Sequence, residues 1–221
     1  MNNYSTQFCE AFSQDYAQTR VAYSDDEWAR VWLNGDAWNH LMLWNPYPPQ
    51  VQPLLQLVAT EMGLQYWNFG EPFRVDAAFV DSDRCVLGSV PFPVVVAIEH
   101  EHNVNTIREE MAKLFHIRCP LKVAITYAPP KVTGGEKLAL CEGRIKSWAK
   151  ELSDTLARYV GEDPVAEYLY LLGVEEQRYA LTWRSLTFSA GSEVANSTWK
   201  EIRPPSTRPN KKIQRMADSH R

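Results

Sequence analysis

Val94-Val95-Val96-Ala97-Ile98-Glu99-His100-Glu101-His102-Asn103 is the stretch whose reading decides the fold. It begins as an apolar run rich in β-branched side chains, the composition of a buried strand. Its far end turns polar and charged. Side chains alternate along a strand, so Glu99 and Glu101 share one face and His100 and His102 the other. Two carboxylates on one face of a buried strand end repel each other. They cost free energy unless a cation or a donor lies between them.

Asp76 lies 23 residues before Glu99, between Pro72-Phe73-Arg74-Val75 and Ala77-Ala78-Phe79-Val80. The segment 74–80 reads as a second strand with Asp76 inside it. If the two strands are neighbours, Asp76 joins Glu99 and Glu101 in one oxygen-rich cluster. Such hard ligands on a rigid sheet suit Mg²⁺ or Mn²⁺. Asp81 and Asp83 are rival acids, but they fall in a turn, Asp81-Ser82-Asp83, so Asp76 is preferred.

The neighbouring segments supply a consistent order of elements. Leu54, Leu55, Val58 and Met62 form a helical stripe ending at Gly63, and Leu64 to Trp67 reads as a short strand. After the 93–101 strand, Asn103 or Asn105 is placed to cap a helix whose apolar face is Ile107, Met111, Leu114 and Phe115. A further strand follows over 121–127. Residues 51–127 therefore run helix, strand, strand, strand, helix, strand.

Val75-Asp76, the gap, Glu99-His100-Glu101 and this order of elements together resemble the PD-(D/E)xK nuclease superfamily. The departure is Glu101, which stands where the motif has Lys; some restriction enzymes of the superfamily also carry Glu there. The resemblance implies an α/β fold with a restriction-endonuclease-like core, a central mixed sheet flanked by helices. It implies metal-dependent hydrolysis of DNA phosphodiesters. Asp76 and Glu99 would hold Mg²⁺ or Mn²⁺, with Glu101 as a base or as ligand of a second ion. Lys113, or else Lys122, would supply the missing positive charge. Glu61, near the end of the preceding helix, matches a further acid that this helix often contributes. DNA is the expected partner, and a homodimer is compatible with the family. The alternative is a non-catalytic protein on the same fold, binding a protein partner or regulating conflict between phage and host. A third reading places Zn²⁺ on the His100-x-His102 pair, for which no third ligand is identified.

Outside the core, Phe8, Phe12 and Tyr16 recur every four residues and predict a first helix over about 5–18. Ser24-Asp25-Asp26-Glu27 is a capping-box pattern. Trp28, Trp32, Trp38 and Trp44 read first as packing between short helices and second as a stacking surface for bases. Pro46-Tyr47-Pro48-Pro49 marks the junction, so residues 1–50 are read as a helical region packed on a core of 51–199. A long helix over 136–160 and paired strands over 166–174 and 179–189 complete the core.

The whole chain carries a net charge of −4, but residues 200–221 carry +5 and the rest −9. That basic, proline-containing tail is read as a disordered arm able to reach phosphates. Cys9, Cys85, Cys119 and Cys141 are scattered, which predicts reduced thiols and a cytoplasmic protein. No apolar run approaches the ~20 residues that span a bilayer.

Overall fold

The computed structural model describes residues 3–33, 35–44, 52–68, 75–81, 93–128, 135–159, 166–177, 180–189, 194 and 197–203. The strands are β1 (Gln65–Trp67), β2 (Ala77–Val80), β3 (Val94–Glu101), β4 (Leu121–Tyr127), β5 (Glu167–Gln177), β6 (Ala180–Ser189) and β7 (Lys200–Ile202). They form one seven-stranded sheet in chain order. β1, β2 and β3 make an antiparallel meander. β3, β4 and β5 run parallel. β5, β6 and β7 are antiparallel again. The protein is therefore α/β with a mixed sheet.

Parallel neighbours need crossovers, and two helices supply them: α5 (Ile107–Leu114) joins β3 to β4, and α6 (Gly135–Tyr159) joins β4 to β5. Both pack on one face, where Met111, Leu114, Ile145 and Leu156 meet Ala97, Ala124, Tyr170 and Leu172. The other face is covered by α1 (Tyr4–Val21), α2 (Asp25–Leu33), α3 (Gly35–Met42) and α4 (Leu54–Glu61). There Phe8, Phe12, Trp28, Leu41 and Leu55 share a core with Phe79, Ile98, Val123 and Leu169. Covering both faces explains why β3 is buried along almost all its length instead of alternating in and out.

The local signals act as their chemistry requires. The Asn3 side chain accepts from the Thr6 amide at 3.0 Å and caps α1. The Glu167 carboxylate accepts from the Ser5 amide at 2.8 Å, setting a negative charge at the positive end of α1 and tying it to β5. The capping box closes reciprocally, Ser24 amide to Glu27 Oε2 at 2.9 Å and Glu27 amide to Ser24 Oγ at 3.3 Å. Gly63, at φ +69°, takes the left-handed turn that follows α4.

Several expectations change. The helix over 107–114 is capped at Thr106, not Asn103 or Asn105; Asn103 instead accepts from the Asn105 amide in the preceding turn. The boundary at residue 200 is displaced, because Lys200–Ile202 pairs with β6 as an edge strand. Residues 204–221, the proline junction 46–49 and Asp83 lie outside the described residues. The N-terminal helices share the sheet's core: Phe12 meets Trp183 of β6 edge-on, with centroids 4.8 Å apart. Trp28 is buried against Tyr16 and Tyr23, so it packs rather than stacks on a ligand, while Trp44 is exposed. The side chains of Trp32 and Trp38 are outside the described set. Among the described residues, Cys9, Cys119 and Cys141 form no disulfide with one another. Among the described residues no helix is long and apolar enough to cross a membrane.

Gly173 shows how tightly aromatic side chains of neighbouring strands close over β5. A Cβ there would lie 2.9 Å from Tyr127 Cδ1 and 3.1 Å from the Trp183 ring. Gly173→Ala should destabilise the protein by about 2 kcal/mol in urea titration, because two packed rings must move. An unchanged midpoint would mean that the rings shift freely.

Candidate functional site

The site lies at the C-terminal end of β3. Asp76 occupies a bend just before β2, not the interior of a strand as expected. The antiparallel register Ala77↔Ile98 sets Asp76 beside Glu99. The His100 amide donates to Asp76 Oδ2 at 2.7 Å. Glu99 follows Ala97 in the strand alternation and faces α5; it is 3% exposed, and its Oε1 has no hydrogen-bond partner.

Burial raises Asp76 above the usual carboxylate range, and the His100 amide and a hydrogen bond with Glu99 partly offset it. Burial, followed by the Asp76 charge, drives Glu99 up much further. The two acids therefore share a proton at neutral pH. A cation between the two carboxyl groups would let both ionise.

Helix α5 adds two groups. Glu110 and Lys113 form an ion pair one turn apart. Glu110's charge raises both acids of the pair and Lys113's lowers them, so this turn overlooks the site. Lys113 is itself raised, chiefly by its hydrogen bond to Glu110 and further by Glu99 and Asp76. Glu110 is not among the site residues expected from the sequence. The signal available was its spacing of three from Lys113.

Other candidates are not brought in. Glu101 shares the Glu99 face, but its Oε1 accepts from the Asn103 amide at 2.8 Å, closing the turn after β3. Glu61 is exposed at the end of α4, and its charge acts on Asp15 of α1. Asp81 follows β2 at the end away from Asp76. Lys122 is buried, donates to the Cys119 carbonyl at 3.2 Å and lies 5.0 Å over the Tyr168 ring. His100 and His102 do face the opposite side together, with ring centroids 5.0 Å apart. Both His100 ring nitrogens are engaged, by Asn39 at 3.2 Å and Tyr127 at 2.8 Å, which removes it as a zinc ligand.

Among the described residues, no three His, Cys, Asp or Glu side chains converge to hold an ion. The expected set Asp76, Glu99, Glu101 and Glu61 thus reduces to Asp76 and Glu99. Two carboxylates still fit Mg²⁺, which keeps several waters and is commonly bound through one or two carboxylates plus substrate phosphate. The buried, unpartnered Glu99 oxygen is the atom such an ion would satisfy.

The raised Glu99 has a measurable consequence. A glutamate pushed up to about 9 contributes stability that is full below its ordinary value of 4.5 and is lost as pH rises through the folded value. Wild type should therefore lose about 2 kcal/mol more than Glu99→Gln between pH 5.5 and 8 without divalent ions. That is roughly half the full linkage slope, because the proton is shared with Asp76. Parallel curves in denaturant titrations at both pH values would contradict a proton held by the pair.

No protein-family model, curated protein or solved structure matches the chain.

Proposed function

We propose that the chain is a metal-dependent phosphodiesterase of the PD-(D/E)xK type, acting on DNA, with Mg²⁺ or Mn²⁺ held by Asp76 and Glu99. The observation that carries the reading is the buried Glu99 oxygen, without a partner, beside Asp76. The topology supports it: helix α4, the β1–β2–β3 meander, the α5 crossover and parallel β4 follow the order of a restriction-endonuclease-like core.

When bound, the ion would polarise the scissile phosphate and acidify an attacking water. The chain's own residues do the rest. Asp76 is aimed by the His100 amide. Glu99 and Asp76 would hold the ion as carboxylates, and the proton they share would be released to solvent. Lys113 stands over the pair on α5, in place of the motif's Lys, and its ammonium offsets negative charge developing on the phosphate. Glu110 holds Lys113 there.

Purified protein should nick supercoiled DNA with Mg²⁺ or, more readily, Mn²⁺, and EDTA should stop it. The second reading, a non-catalytic protein on this fold that binds a protein partner, is favoured by one observation: Glu101 closes a turn and leaves only two acids at the centre. No cleavage of any DNA or RNA, together with no divalent-ion binding in calorimetry, would select it.

A further inference from the structure

Asp76 stands in a bend outside the β-ladder, so the aim of its carboxylate depends on what grips it. The grip is the main-chain N–H of His100, 2.7 Å from Oδ2. The imidazole of the same residue lies on the other face of the sheet and is 7% exposed. Its Nδ1 is 3.2 Å from Asn39 Oδ1 of α3, and its Nε2 is 2.8 Å from Tyr127 Oη of β4. An amide oxygen only accepts, so Nδ1 carries the proton and Nε2 accepts from the Tyr127 hydroxyl. The ring also meets Tyr127 edge-on at 5.6 Å, and Tyr127 meets Trp183 at 5.6 Å.

A buried imidazole is costly unless both nitrogens are satisfied, and an apolar side chain would fill the same space without that requirement. The network gives what apolar packing does not: it locks residue 100 in direction as well as in place. That lock runs from α3 through β3 to β4, and it fixes the residue whose main-chain amide, directed toward the β2 side, holds Asp76.

We infer that His100, clasped by Asn39 and Tyr127, is a positioning residue for the Asp76–Glu99 centre, acting through its own backbone amide. The inference rests on reading that pair as a divalent-cation site. It makes the N-terminal helix α3 a support of the site from behind the sheet.

The test is Mn²⁺ binding to the full chain, by calorimetry and by electron paramagnetic resonance of the free ion, with thermal denaturation in parallel. The proteins are wild type, Asp76→Ala, Tyr127→Phe, His100→Leu and, as a core variant on α6, Leu152→Ala. Wild type should bind and Asp76→Ala should not. Tyr127→Phe, which removes one oxygen and keeps the ring, should raise the Mn²⁺ Kd about tenfold, and His100→Leu about ten- to a hundredfold. Leu152→Ala should lower the Tm and leave the Kd within about twofold, since it touches no support of the ligands. If His100→Leu does not fold, Tyr127→Phe carries the comparison alone. A Tyr127→Phe protein with lowered Tm and wild-type Kd would make the network purely structural and overturn the positioning role, leaving the centre standing. Wild type without saturable Mn²⁺ binding, or binding indifferent to Asp76→Ala, would overturn the centre and the positioning role with it.

Discussion

Asp76→Ala should abolish divalent-ion-dependent cleavage, lowering the rate by about a thousandfold or more. Losing one of two carboxylates forfeits several kcal/mol of charge stabilisation at the phosphate, and each 1.36 kcal/mol is tenfold in rate. Glu99→Gln should do the same for a different reason. The amide keeps the shape but cannot deliver the negative charge that the buried position otherwise withholds until an ion arrives. Lys113→Met should cut the rate less, by about ten- to a hundredfold, because a half-exposed ammonium is worth less than a buried ligand. Glu101→Gln should change the rate only a few-fold at most. Its Oε1 is engaged by the Asn103 amide, and a Gln oxygen can still accept that bond, though more weakly than a carboxylate. The nicking assay therefore separates the two glutamates of one strand face. Equal loss in Glu99→Gln and Glu101→Gln would put Glu101 in the chemistry after all. Full activity in Asp76→Ala would locate the chemistry elsewhere.

Phe12→Ala should destabilise the protein by about 3–5 kcal/mol, the range for deleting a fully buried aromatic side chain. Phe12 stacks between Phe8 and Tyr16 along α1 and meets Trp183 of β6 edge-on. Removing it opens a cavity at the seam between helix and sheet, where rigid neighbours collapse poorly. Loss should be seen as one cooperative transition at a lower urea midpoint. Two separate transitions would instead mean that residues 3–44 melt as an independent unit.

Much of the fold was legible in the chain because it rests on local chemistry. The apolar run 94–98 and the stripes of α4 and α5 each follow one period. Their order implied that Asp76 and Glu99 belong to neighbouring strands; β2 and β3 are neighbours, and their register sets Asp76, in the bend before β2, beside Glu99. The alternation of β3 likewise put Glu99 and His100 on opposite faces.

What alternation cannot say is where a side chain ends once the strand stops. Glu101 has the face of Glu99 but sits at the last residue of β3, where its carboxylate closes the turn by accepting from the Asn103 amide. Only the packing of α4 against α1 decided that the Glu61 charge acts on Asp15. Lys200–Ile202 looked like the start of a charged tail, because an edge strand of three residues pairs through its backbone and needs little from its side chains. His100, Asn39 and Tyr127 lie far apart in sequence, and no period links them. Their meeting exists only because the sheet brings β3 beside β4 and α3 lies against the sheet near His100. Sequence determined which elements form and in what order. Tertiary packing decided which polar side chains are left without water, and that is the property on which a metal centre depends.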